Sequence, residues 1–294
     1  MKVLNFGSLN LDYVYQVDHF VGPGETLSST SRAIKLGGKG LNQSVALARA
    51  GAKVSHAGCI GSEGTTLKAL LDREGVDTSN LLTVDAPQGH TVIQVTPEGE
   101  NCILLYGGSN QCVTDAQIER TFSDCAAGDW LVLQNEINRL PAIVEAAHEK
   151  GMVIALNPSP FDHRLDAVDF GKLSWLLVNE VEARQITGSD DPENAWRWLH
   201  QRYPSLNVLV TLGSEGSAAW RVSGGQTENA RQAAFKVKAV DTTAAGDTFT
   251  GYFITGLMAG RPLSDCLRLA AKAAAISVTR PGAADSIPRL EEVQ

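Results

Sequence analysis

The chain has 294 residues, of which 43% are hydrophobic and 20% charged, and its formal net charge is -8. This length allows one large α/β domain or two smaller ones, and the composition is that of a soluble globular enzyme rather than a disordered, collagen-like or coiled-coil chain. The acidic balance excludes the general basic field with which dedicated nucleic-acid or anionic-lipid binders collect their ligands.

The spacing of cysteines and histidines and the hydropathy of the chain limit the class of protein further. None of the five cysteines forms a Cys-x-x-Cys pair, and the six histidines lack the His-Glu-x-x-His spacing, so we expect neither a disulfide framework nor a zinc site. The first residues lack the apolar run of a signal peptide, and no stretch of about 18 apolar residues occurs. These features predict a cytoplasmic protein with reduced thiols.

Strands made of continuous Val, Ile and Leu runs alternate with helices along most of the chain. In chain order, the predicted elements are a strand at 3–8, a helix at 42–50, a strand at 54–60, a helix at 66–74, a strand at 130–134, a helix at 140–150, and strands at 153–157, 175–179 and 207–211. This alternation predicts an α/β fold in which helices cover both faces of a mainly parallel sheet.

Three segments instead alternate apolar and polar side chains, as strands with one wet face do. They lie at about 11–20, 28–36 and 89–106, and the last contains the turn Pro97-Glu98-Gly99-Glu100. Together they predict a small antiparallel sheet that projects from the α/β body as a lid or an association surface. No linker separates a second domain, so we expect a single domain over 1–294 with a discontinuous lid.

The strongest chemical signal is Asp241-Thr242-Thr243-Ala244-Ala245-Gly246-Asp247, which leads into a predicted helix at 248–259. Small residues before a helix leave backbone N–H groups open to an anion, and the helix N-terminus favours negative charge. Asp247 would stand beside that anion as a carboxylate that takes a proton from an attacking hydroxyl. A plain helix cap, with Asp247 serving only the helix dipole, explains the same residues about equally well.

Polar residues gather beyond the carboxyl ends of strands, where open α/β sheets bind ligands. Asn10 and Asp12 share a face after the first strand, and Glu136 follows a later strand. Gly37-Gly38-Lys39-Gly40-Leu41-Asn42 opens a helix without Walker A spacing; its glycines permit close approach, and Lys39 and Asn42 offer donors. The set suits a polyhydroxylated ligand, although each member alone is more often a solvated loop residue or a simple turn.

Two further turns follow strands at the same edge of the sheet. Asn179-Glu180-Val181-Glu182 supplies carboxylates for Mg²⁺, directly or through water, or caps the next helix. Thr211-Leu212-Gly213-Ser214-Glu215-Gly216 is a Gly-spaced turn with room for a nucleotide. A predicted helix at 263–279 has an alanine-rich face, which suits close packing more than a flat slot for a base; its members are Ala270, Ala271, Ala273 and Ala274.

In combination these segments resemble the ribokinase-like, or PfkB-type, carbohydrate kinases over nearly the whole chain. The motifs that carry the resemblance are Asn10-Leu11-Asp12, Pro23-Gly24-Glu25-Thr26, Gly37 to Asn42 with Gln43, Gly99-Glu100-Asn101, Asn157-Pro158-Ser159-Pro160, Asn179 to Glu182, and Asp241 to Asp247. The resemblance implies a three-layer α/β/α fold and a β lid that often pairs two subunits, and hence a homodimer. The segment Tyr106-Gly107-Gly108-Ser109-Asn110, near the expected sugar, departs from the family pattern.

The resemblance also implies roles for matching positions. Asp247 would be the general base on the primary hydroxyl of a sugar, and the anion hole for the phosphoryl group would be formed by the N–H groups of Ala244, Ala245, Gly246 and Asp247. The sugar would be held by Asn10, Asp12, Gly38, Lys39, Asn42, Glu136 and Asp247. ATP would contact Asn179, Glu182, Thr211, Gly213, Gly216 and Gly246, and Glu182 would hold Mg²⁺ through water.

Members of this family also use a monovalent cation, usually K⁺, beside the anion hole. By motif matching its ligands would be the side chains of Asp241 and Ser286 and the backbone carbonyls of Thr243, Ser277, Arg280 and Gly282. Oxygen-only ligation from loops suits a large hard cation.

The resemblance therefore implies an ATP-dependent kinase that phosphorylates the 5-hydroxyl of D-ribose to give D-ribose 5-phosphate. Two alternatives stay open: a kinase for another furanose or a nucleoside, and a non-catalytic sugar-binding relative, against which the retained Asp247 argues. A nicotinamide-dependent dehydrogenase is disfavoured, because residues 5–12 contain one glycine where Gly-x-Gly-x-x-Gly is needed.

Overall fold

Thirteen strands form two sheets in the computed structural model, which describes Met1–Gln294. In chain order the strands are β1 (Val3–Phe6), β2 (Asn10–Gln16), β3 (Ser31–Gly37), β4 (Val54–Ile60), β5 (Asp77–Thr83), β6 (His90–Val95), β7 (Asn101–Tyr106), β8 (Trp130–Gln134), β9 (Val153–Asn157), β10 (Trp175–Asn179), β11 (Asn207–Thr211), β12 (Ser217–Ser223) and β13 (Gln226–Gln232). The large sheet has the order β13-β12-β11-β10-β9-β8-β1-β4-β5. It is parallel from β11 to β5, with β12 and β13 antiparallel at one edge.

Helices cover both faces of the large sheet. They are α1 (Lys39–Arg49), α2 (Thr65–Arg73), α3 (Asp115–Ser123), α4 (Leu140–Glu149), α5 (Glu180–Thr187), α6 (Pro192–Arg202), α7 (Ala245–Met258), α8 (Leu263–Ser277) and α9 (Leu290–Val293). One apolar cluster joins the sheet to α1, α2, α7 and α8, and a second joins it to α3 through α6. Successive residues of β1 alternate between the clusters, Val3 in the first and Leu4 in the second. The predicted three-layer α/β/α architecture is confirmed.

The small sheet, hereafter the lid sheet, has the order β3-β2-β6-β7. The pairs β2–β3 and β6–β7 are antiparallel, as expected, but β2 and β6 pair in parallel. The reason is connectivity, because the chain passes through α1, β4, α2 and β5 of the body before it returns as β6. The lid sheet therefore combines two hairpin-like pieces from distant parts of the chain.

Two helices begin earlier than predicted, and both differences matter for the site. The helix predicted at 42–50 begins at Lys39, and the helix predicted at 248–259 begins at Ala245. Glycines and small residues of low helix propensity suggested loops, but packing of α1 against the turn after β1 overrides that propensity. Lys39 and Asp247 consequently lie in the first turns of helices. None of the nine helices has the length and apolar character needed to cross a bilayer.

Candidate active site

Two adjoining cavities open at the carboxyl ends of β9, β10 and β11. The polar cavity, about 230 Å³ in volume, is lined by Lys39, Asn157, Ser159, Leu177, Val178, Asn179, Glu182, Leu209, Thr211, Thr242, Ala244, Ala245, Gly246, Asp247 and Thr250. The apolar cavity has a volume of about 370 Å³ and shares four of these residues, Thr211, Thr242, Ala245 and Gly246. The two cavities thus form one groove with the N-terminus of α7 at their junction.

The first turn of α7 presents open N–H groups to this junction. Its N-cap, Ala244, has a left-handed backbone conformation (φ 60°, ψ 10°) and supplies no side-chain cap. The N–H of Ala245 donates to the carbonyl oxygen of Thr242 at 3.2 Å, whereas those of Ala244, Gly246 and Asp247 have no protein acceptor. Free N–H groups at a helix N-terminus form an anion-binding site.

Asp247 directs its carboxylate across to α1 instead of capping its own helix. It is 8% exposed, and it accepts hydrogen bonds from Asn42 Nδ2 at 3.0 Å on Oδ2 and from Gln43 Nε2 at 2.9 Å on Oδ1. The carboxylate lines the polar cavity beside the free N–H groups. This arrangement favours a positioned proton acceptor next to an anion site over a plain helix cap.

Lys39 lies among three carboxylates. Burial by itself lowers the pKa of Lys39, but the charges of Asp247, Glu136 and Glu182 outweigh burial, and the net effect raises that pKa. Lys39 is therefore a fixed positive charge that lines the polar cavity among these carboxylates.

The turn after β1 and the start of α1 pack backbone against backbone. A Cβ at Gly40 would lie 2.4 Å from Ser8 N, and Gly38 has φ 94°. Glu136 accepts hydrogen bonds from the N–H of Lys39 at 3.1 Å and from Ser8 Oγ. Because both hydrogen bonds use Oε2, Glu136 caps α1 and keeps Oε1 for a ligand.

Asp12 projects from β2 next to Thr91 of β6. Burial raises the pKa of Asp12 to about 6, with a further increase from Glu136, against lowering by a hydrogen bond from Thr91 and by the charge of Lys35. Thr91 Oγ1 lies 2.6 Å from Asp12 Oδ1. Asp12 is thus an acceptor whose ionisation falls within the range in which enzymes are assayed.

Asn10 is oriented by a buried neighbour. Its Oδ1 accepts a hydrogen bond from Asn110 Nδ2 at 2.7 Å, and Asn110 Oδ1 accepts the N–H of Leu9 at 3.0 Å. Asn10 therefore has its Nδ2 left as a donor for a ligand. Asn110 belongs to the segment Tyr106 to Asn110, which departs from the family pattern. This departure therefore affects the site through the orientation of the Asn10 side chain.

Asn179 and Glu182 form a capping box at the start of α5. Asn179 Oδ1 accepts the N–H of Glu182 at 2.8 Å, and Glu182 Oε2 accepts the N–H of Asn179 at 3.1 Å. Ser159 Oγ also donates to Glu182 Oε1. The capping alternative is thus present, yet Glu182 also lines the polar cavity. Since both carboxylate oxygens already have protein donors, Glu182 fits a hydrated Mg²⁺ held through water better than a directly bound ion.

The apolar cavity suits a flat aromatic group. Its walls are apolar apart from the turn at its mouth, and include Phe235, Val237, Ala239, Phe249, Ala271, Ala274, Ala275 and Val278. Gly213 and Gly216 line it too, and a Cβ at Gly216 would lie 2.0 Å from the carbonyl oxygen of Gln232. The alanine-rich face of α8 serves both expected purposes, because Ala270 and Ala273 pack in the core while Ala271 and Ala274 line this cavity.

Asp241 joins the two loops expected to hold a monovalent cation. Its Oδ1 accepts the N–H of Thr243 and its Oδ2 that of Gly282, both at 2.9 Å. Burial alone raises the pKa of Asp241, but hydrogen bonds from Thr243 and Gly282 and the charge of Lys35 lower it overall. The carbonyl oxygens of Thr243, Arg280 and Gly282 accept no backbone hydrogen bond. Ser286, which follows Gly282 shortly in the chain, is buried. This donor set fits a K⁺ ion; the carbonyl of Ser277, by contrast, already accepts the N–H of Arg280.

Four residues that support the expected site residues, directly or through one neighbour, have no role predicted from the sequence. The sequence places Gln43 in a motif and Asn110 in the segment that departs from the family pattern, without a function for either, and it does not single out Thr91 or Gln134. Each acts through a partner far along the chain, for example Thr91 on Asp12 and Gln134 on Gln43. The clearest local signal was the amide pair Asn42-Gln43 at the start of a helix.

Comparison with known proteins agrees with this geometry. The family model of the pfkB family carbohydrate kinases matches residues 1–290. The ribokinase of Haemophilus influenzae is 36% identical over 299 residues, covering 97% of this chain and 95% of its own, and that of Schizosaccharomyces pombe is 35% identical, covering 100% and 96%. Deoxyribokinase of Salmonella typhi is 29% identical over 99% of this chain and 97% of its own.

Solved structures agree in fold. Ribokinase from Cryptococcus neoformans var. grubii, in complex with ADP, has a TM-score of 0.85 at 34% identity and covers 99% of this chain and 98% of its own. Arabidopsis thaliana ribokinase, complexed with ribose and ATP, has a TM-score of 0.85 at 28% identity and covers 99% and 97%. The chain belongs to the pfkB family of carbohydrate kinases.

Proposed function

We propose that the protein transfers the γ-phosphoryl group of ATP to the 5-hydroxyl of D-ribose, producing D-ribose 5-phosphate and ADP. The observation that carries this proposal is the junction at α7, where the Asp247 carboxylate and three free N–H groups meet between a polar and an apolar cavity. The relatives named ribokinase cover nearly the whole chain and support ribose as the acceptor.

In this proposal the acceptor hydroxyl lies against Asp247. Asn42 and Gln43 hold the carboxylate, which accepts the hydroxyl proton as the sugar oxygen attacks the γ-phosphorus. The free N–H groups of Ala244, Gly246 and Asp247 stabilise the charge on the transferring phosphoryl oxygens. Chemistry of this kind depends mainly on positioning and electrostatics, which a rigid helix terminus supplies without reorganisation.

The remaining sugar contacts come from both sheets. Asn10, Asp12 and Glu136 each keep a polar atom free for a ligand, and Asn42 Oδ1 is buried without a protein partner. Lys39 adds a positive charge between these groups and the phosphates. These groups supply donors, acceptors and an ammonium ion, as a polyhydroxylated ligand requires; Lys39 and Asp247 line the polar cavity, whereas Asn10, Asp12, Asn42 and Glu136 lie outside its lining.

The nucleotide would lie along the groove with its base in the apolar cavity and its phosphates at α7. Mg²⁺ would be held by water molecules bound to Glu182 and would neutralise phosphate charge. K⁺ would lie between Asp241, Ser286 and the carbonyls of Thr243, Arg280 and Gly282, where it would fix the loop that begins the anion hole. Ser277 would contribute through its second carbonyl lone pair.

The lid sheet would close over the sugar and pair two subunits into a homodimer. One of its faces carries Asp12, Lys35, Thr91 and Leu105, whereas the other carries Ile34 and Leu104, which are 54% and 71% exposed. An exposed apolar sheet face of this kind favours association. Since strands of the lid sheet begin or end at turns that carry proposed site residues, we regard 1–294 as one domain.

ADP release measured over a panel of acceptors tests the activity. We expect saturable ATP-dependent turnover with D-ribose, and a ³¹P–¹H correlation in the product that places the phosphate on carbon 5. 2-Deoxyribose, fructose and adenosine distinguish the alternatives. Turnover on one of these but not on ribose would refute the ribose assignment, and ATP-independent sugar binding without turnover on any acceptor would favour a non-catalytic relative.

A further inference from the structure

Gln43 is fully buried on α1, and its Nε2 lies 2.9 Å from Oδ1 of Asp247. We propose that Gln43 is a positioning residue for the catalytic base, and that a buried chain of amides through Gln134 and Asn5 fixes the direction in which Gln43 faces. The proposal rests on the proposed function of Asp247 as the base and assigns a task to residues that line neither cavity.

The direction of the Gln43 amide is set by Gln134. Gln134 Nε2 donates to Gln43 Oε1 at 2.6 Å, which leaves Nε2 of Gln43 to face the carboxylate and, at 3.3 Å, Oδ1 of Asn157. With the amide reversed, an acceptor would face the carboxylate of Asp247 and a donor would face the donor of Gln134. The three hydrogen bonds of Gln43 with Asp247, Asn157 and Gln134 would then be lost together.

Gln134 is oriented in turn by the first strand. Its Nε2 also donates to Asn5 Oδ1 at 3.0 Å, and Asn5 Nδ2 donates to the carbonyl oxygen of Gly40 and to Ser44 Oγ, both at 2.8 Å. Gln43, Ser44, Asn5 and Gln134 all have 0% exposure. Asn5 and Gln43 are hydrogen-bonded through both their oxygen and their nitrogen, whereas Gln134 is held through two hydrogen bonds from Nε2 and its Oε1 has no protein partner. In this dry environment, reversing any of the three amides would break buried hydrogen bonds and is costly.

The chain ends at a neutral histidine. Ser44 Oγ accepts from Asn5 Nδ2 and is hydrogen-bonded to Nδ1 of His56 at 2.8 Å. Burial lowers the pKa of His56 to about 4, so this ring carries no charge at neutral pH. The chain thus fixes geometry and adds no second charge that would compete with Asp247.

Gln43 and Asn42 both donate to Asp247, but they differ in what else they can bind. Asn42 has a buried Oδ1 with no protein partner, which makes it a ligand for the sugar. Gln43 has its oxygen on Gln134 and its nitrogen on Asp247 and Asn157. Loss of the Gln43 donor should therefore lower kcat while sugar affinity stays close to that of the wild type.

Other charges near Asp247 do not change in the variants chosen below. Lys39 lies on the same helix as Gln43, Glu182 lines the same cavity, and Glu136 lies near Lys39. A shift in the pH profile can then be attributed to the removed amide, because a donor to a carboxylate favours its charged form.

The experiment compares Gln43→Met, Gln43→Glu and Gln134→Met. We expect Gln43→Met to lower kcat roughly 10- to 100-fold, the effect of one hydrogen bond to a charged group, with KM for ribose and ATP within about 2-fold. Gln134→Met should produce a smaller loss, because Gln43 is then free to reverse. Gln43→Glu should move the acid limb of kcat furthest toward high pH, since two facing carboxylates share one proton.

Gln117→Met is the matched control. Gln117 is 2% exposed and donates to the carbonyls of Gly58 and Asn80, with no contact to the site. It should lower Tm without moving kcat or the pH profile. A wild-type kcat and pH profile in a folded Gln43→Met variant, or a rise in KM alone, would overturn the proposal.

A readout without turnover separates this proposal from the proposed function. The ¹³Cγ resonance of Asp247, assigned by its loss in Asp247→Asn, is followed against pH in the sugar-free wild type, Gln43→Met and Gln134→Met. A higher titration midpoint in either Gln variant supports positioning even if the wild type proves inactive on ribose, a result that would count against the proposed function alone. Unchanged midpoints in both would refute the positioning role, and Gln134→Met gives this answer if Gln43→Met does not fold.

Discussion

Asn42 carries an unmet hydrogen bond at the centre of the site. Its Oδ1 is buried without a protein partner while its Nδ2 is engaged by Asp247. Leaving such an acceptor unpaired costs about 1–3 kcal/mol, and a ligand hydroxyl that pairs with it removes that cost. Ligands that lack a hydroxyl at this position should therefore bind less tightly.

The role of Asp247 is tested by Asp247→Asn. An asparagine has the same shape but cannot accept the hydroxyl proton, so we expect turnover to fall by roughly two to four orders of magnitude. Binding of ATP and ribose, measured by titration calorimetry, should stay close to wild type. Turnover near the wild-type value would remove Asp247 from the mechanism.

Asp12 predicts a pH dependence of sugar binding. Its pKa of about 6 means that the carboxylate is ionised above pH 6 and protonated below it. We expect KM for ribose to rise as the pH falls through about 6, while KM for ATP changes little.

Thr91→Val provides the matching variant. The hydrogen bond from Thr91 lowers the pKa of Asp12, so its removal should raise that pKa and make KM for ribose rise at a higher pH than in the wild type. Kinetics between pH 5 and 8 measure both curves. A KM for ribose that does not change between pH 5 and 8 would exclude Asp12 from sugar recognition, and coincident curves would exclude the effect of Thr91 on Asp12.

At the scale of elements, the two helix starts respond differently to an added methyl group. A Cβ at Gly40 would lie 2.4 Å from backbone Ser8 N, whereas a Cβ at Gly246 has no neighbour within 4 Å. We expect Gly40→Ala to lower the free energy of unfolding by at least about 1–3 kcal/mol. Gly246→Ala should leave stability unchanged or raise it by up to about 1 kcal/mol.

Although Gly246→Ala should not lower stability, we expect it to lower activity. Its methyl group would enter the junction of the two cavities, where Gly246 lines both, so we expect a higher KM for ATP and a lower kcat in a stable protein. Urea unfolding and steady-state kinetics on the same samples test the pair. Wild-type kinetics in Gly246→Ala would place the phosphates away from α7.

The loops around Asp241 predict a response to cations. Replacing K⁺ by tetramethylammonium at constant ionic strength should lower activity. The free carbonyls of Thr243, Arg280 and Gly282 suit a bare metal cation such as K⁺, whereas the methyl groups of tetramethylammonium keep its charge away from oxygen ligands. Asp241→Asn should weaken this dependence. Equal activity in both salts would reject the cation site.

At the scale of the whole molecule, the lid sheet determines the expected assembly. Leu104→Asp places a charge on the exposed apolar face of the lid sheet and should convert a dimer into a monomer with a higher KM for ribose. Val181→Asp is the control, because Val181 is 46% exposed on α5, away from the lid sheet. Sedimentation velocity measures both, and a monomeric wild type would contradict the proposed homodimer.

The large sheet was predictable where strands are buried on both faces. The apolar runs at 54–60, 130–134, 153–157, 175–179 and 207–211 coincide with β4, β8, β9, β10 and β11. The edge strand β13, Gln226–Gln232, has no such run and forms because β12 offers it a partner. The strands β5 and β12 and the helices α3 and α6 were likewise not predicted, and α5 was expected only as the helix that Asn179 to Glu182 would cap.

The site was predictable as far as motifs name it. Asn42 and Asp247 lie 205 residues apart and meet in the fold, and each belongs to a recognised motif. The supporting amides were not predictable, because Gln134 meets Gln43 across 91 residues and Asn110 meets Asn10 across 100. No local spacing links such partners: packing of α1 on the sheet brings Gln43 to Gln134, and the turn after β7 brings Asn110 to the start of β2.

The parallel pairing of β2 with β6 has a consequence for the order of folding. Leu11 pairs with His90, so this contact closes a loop of nearly eighty residues that itself contains α1, β4, α2 and β5. Contacts of such sequence separation form late, because the chain entropy of the loop is lost before they contribute. The contact between Asp12 and Thr91, which lie in the same register, is therefore expected to form after the elements α1, β4, α2 and β5 that the loop contains.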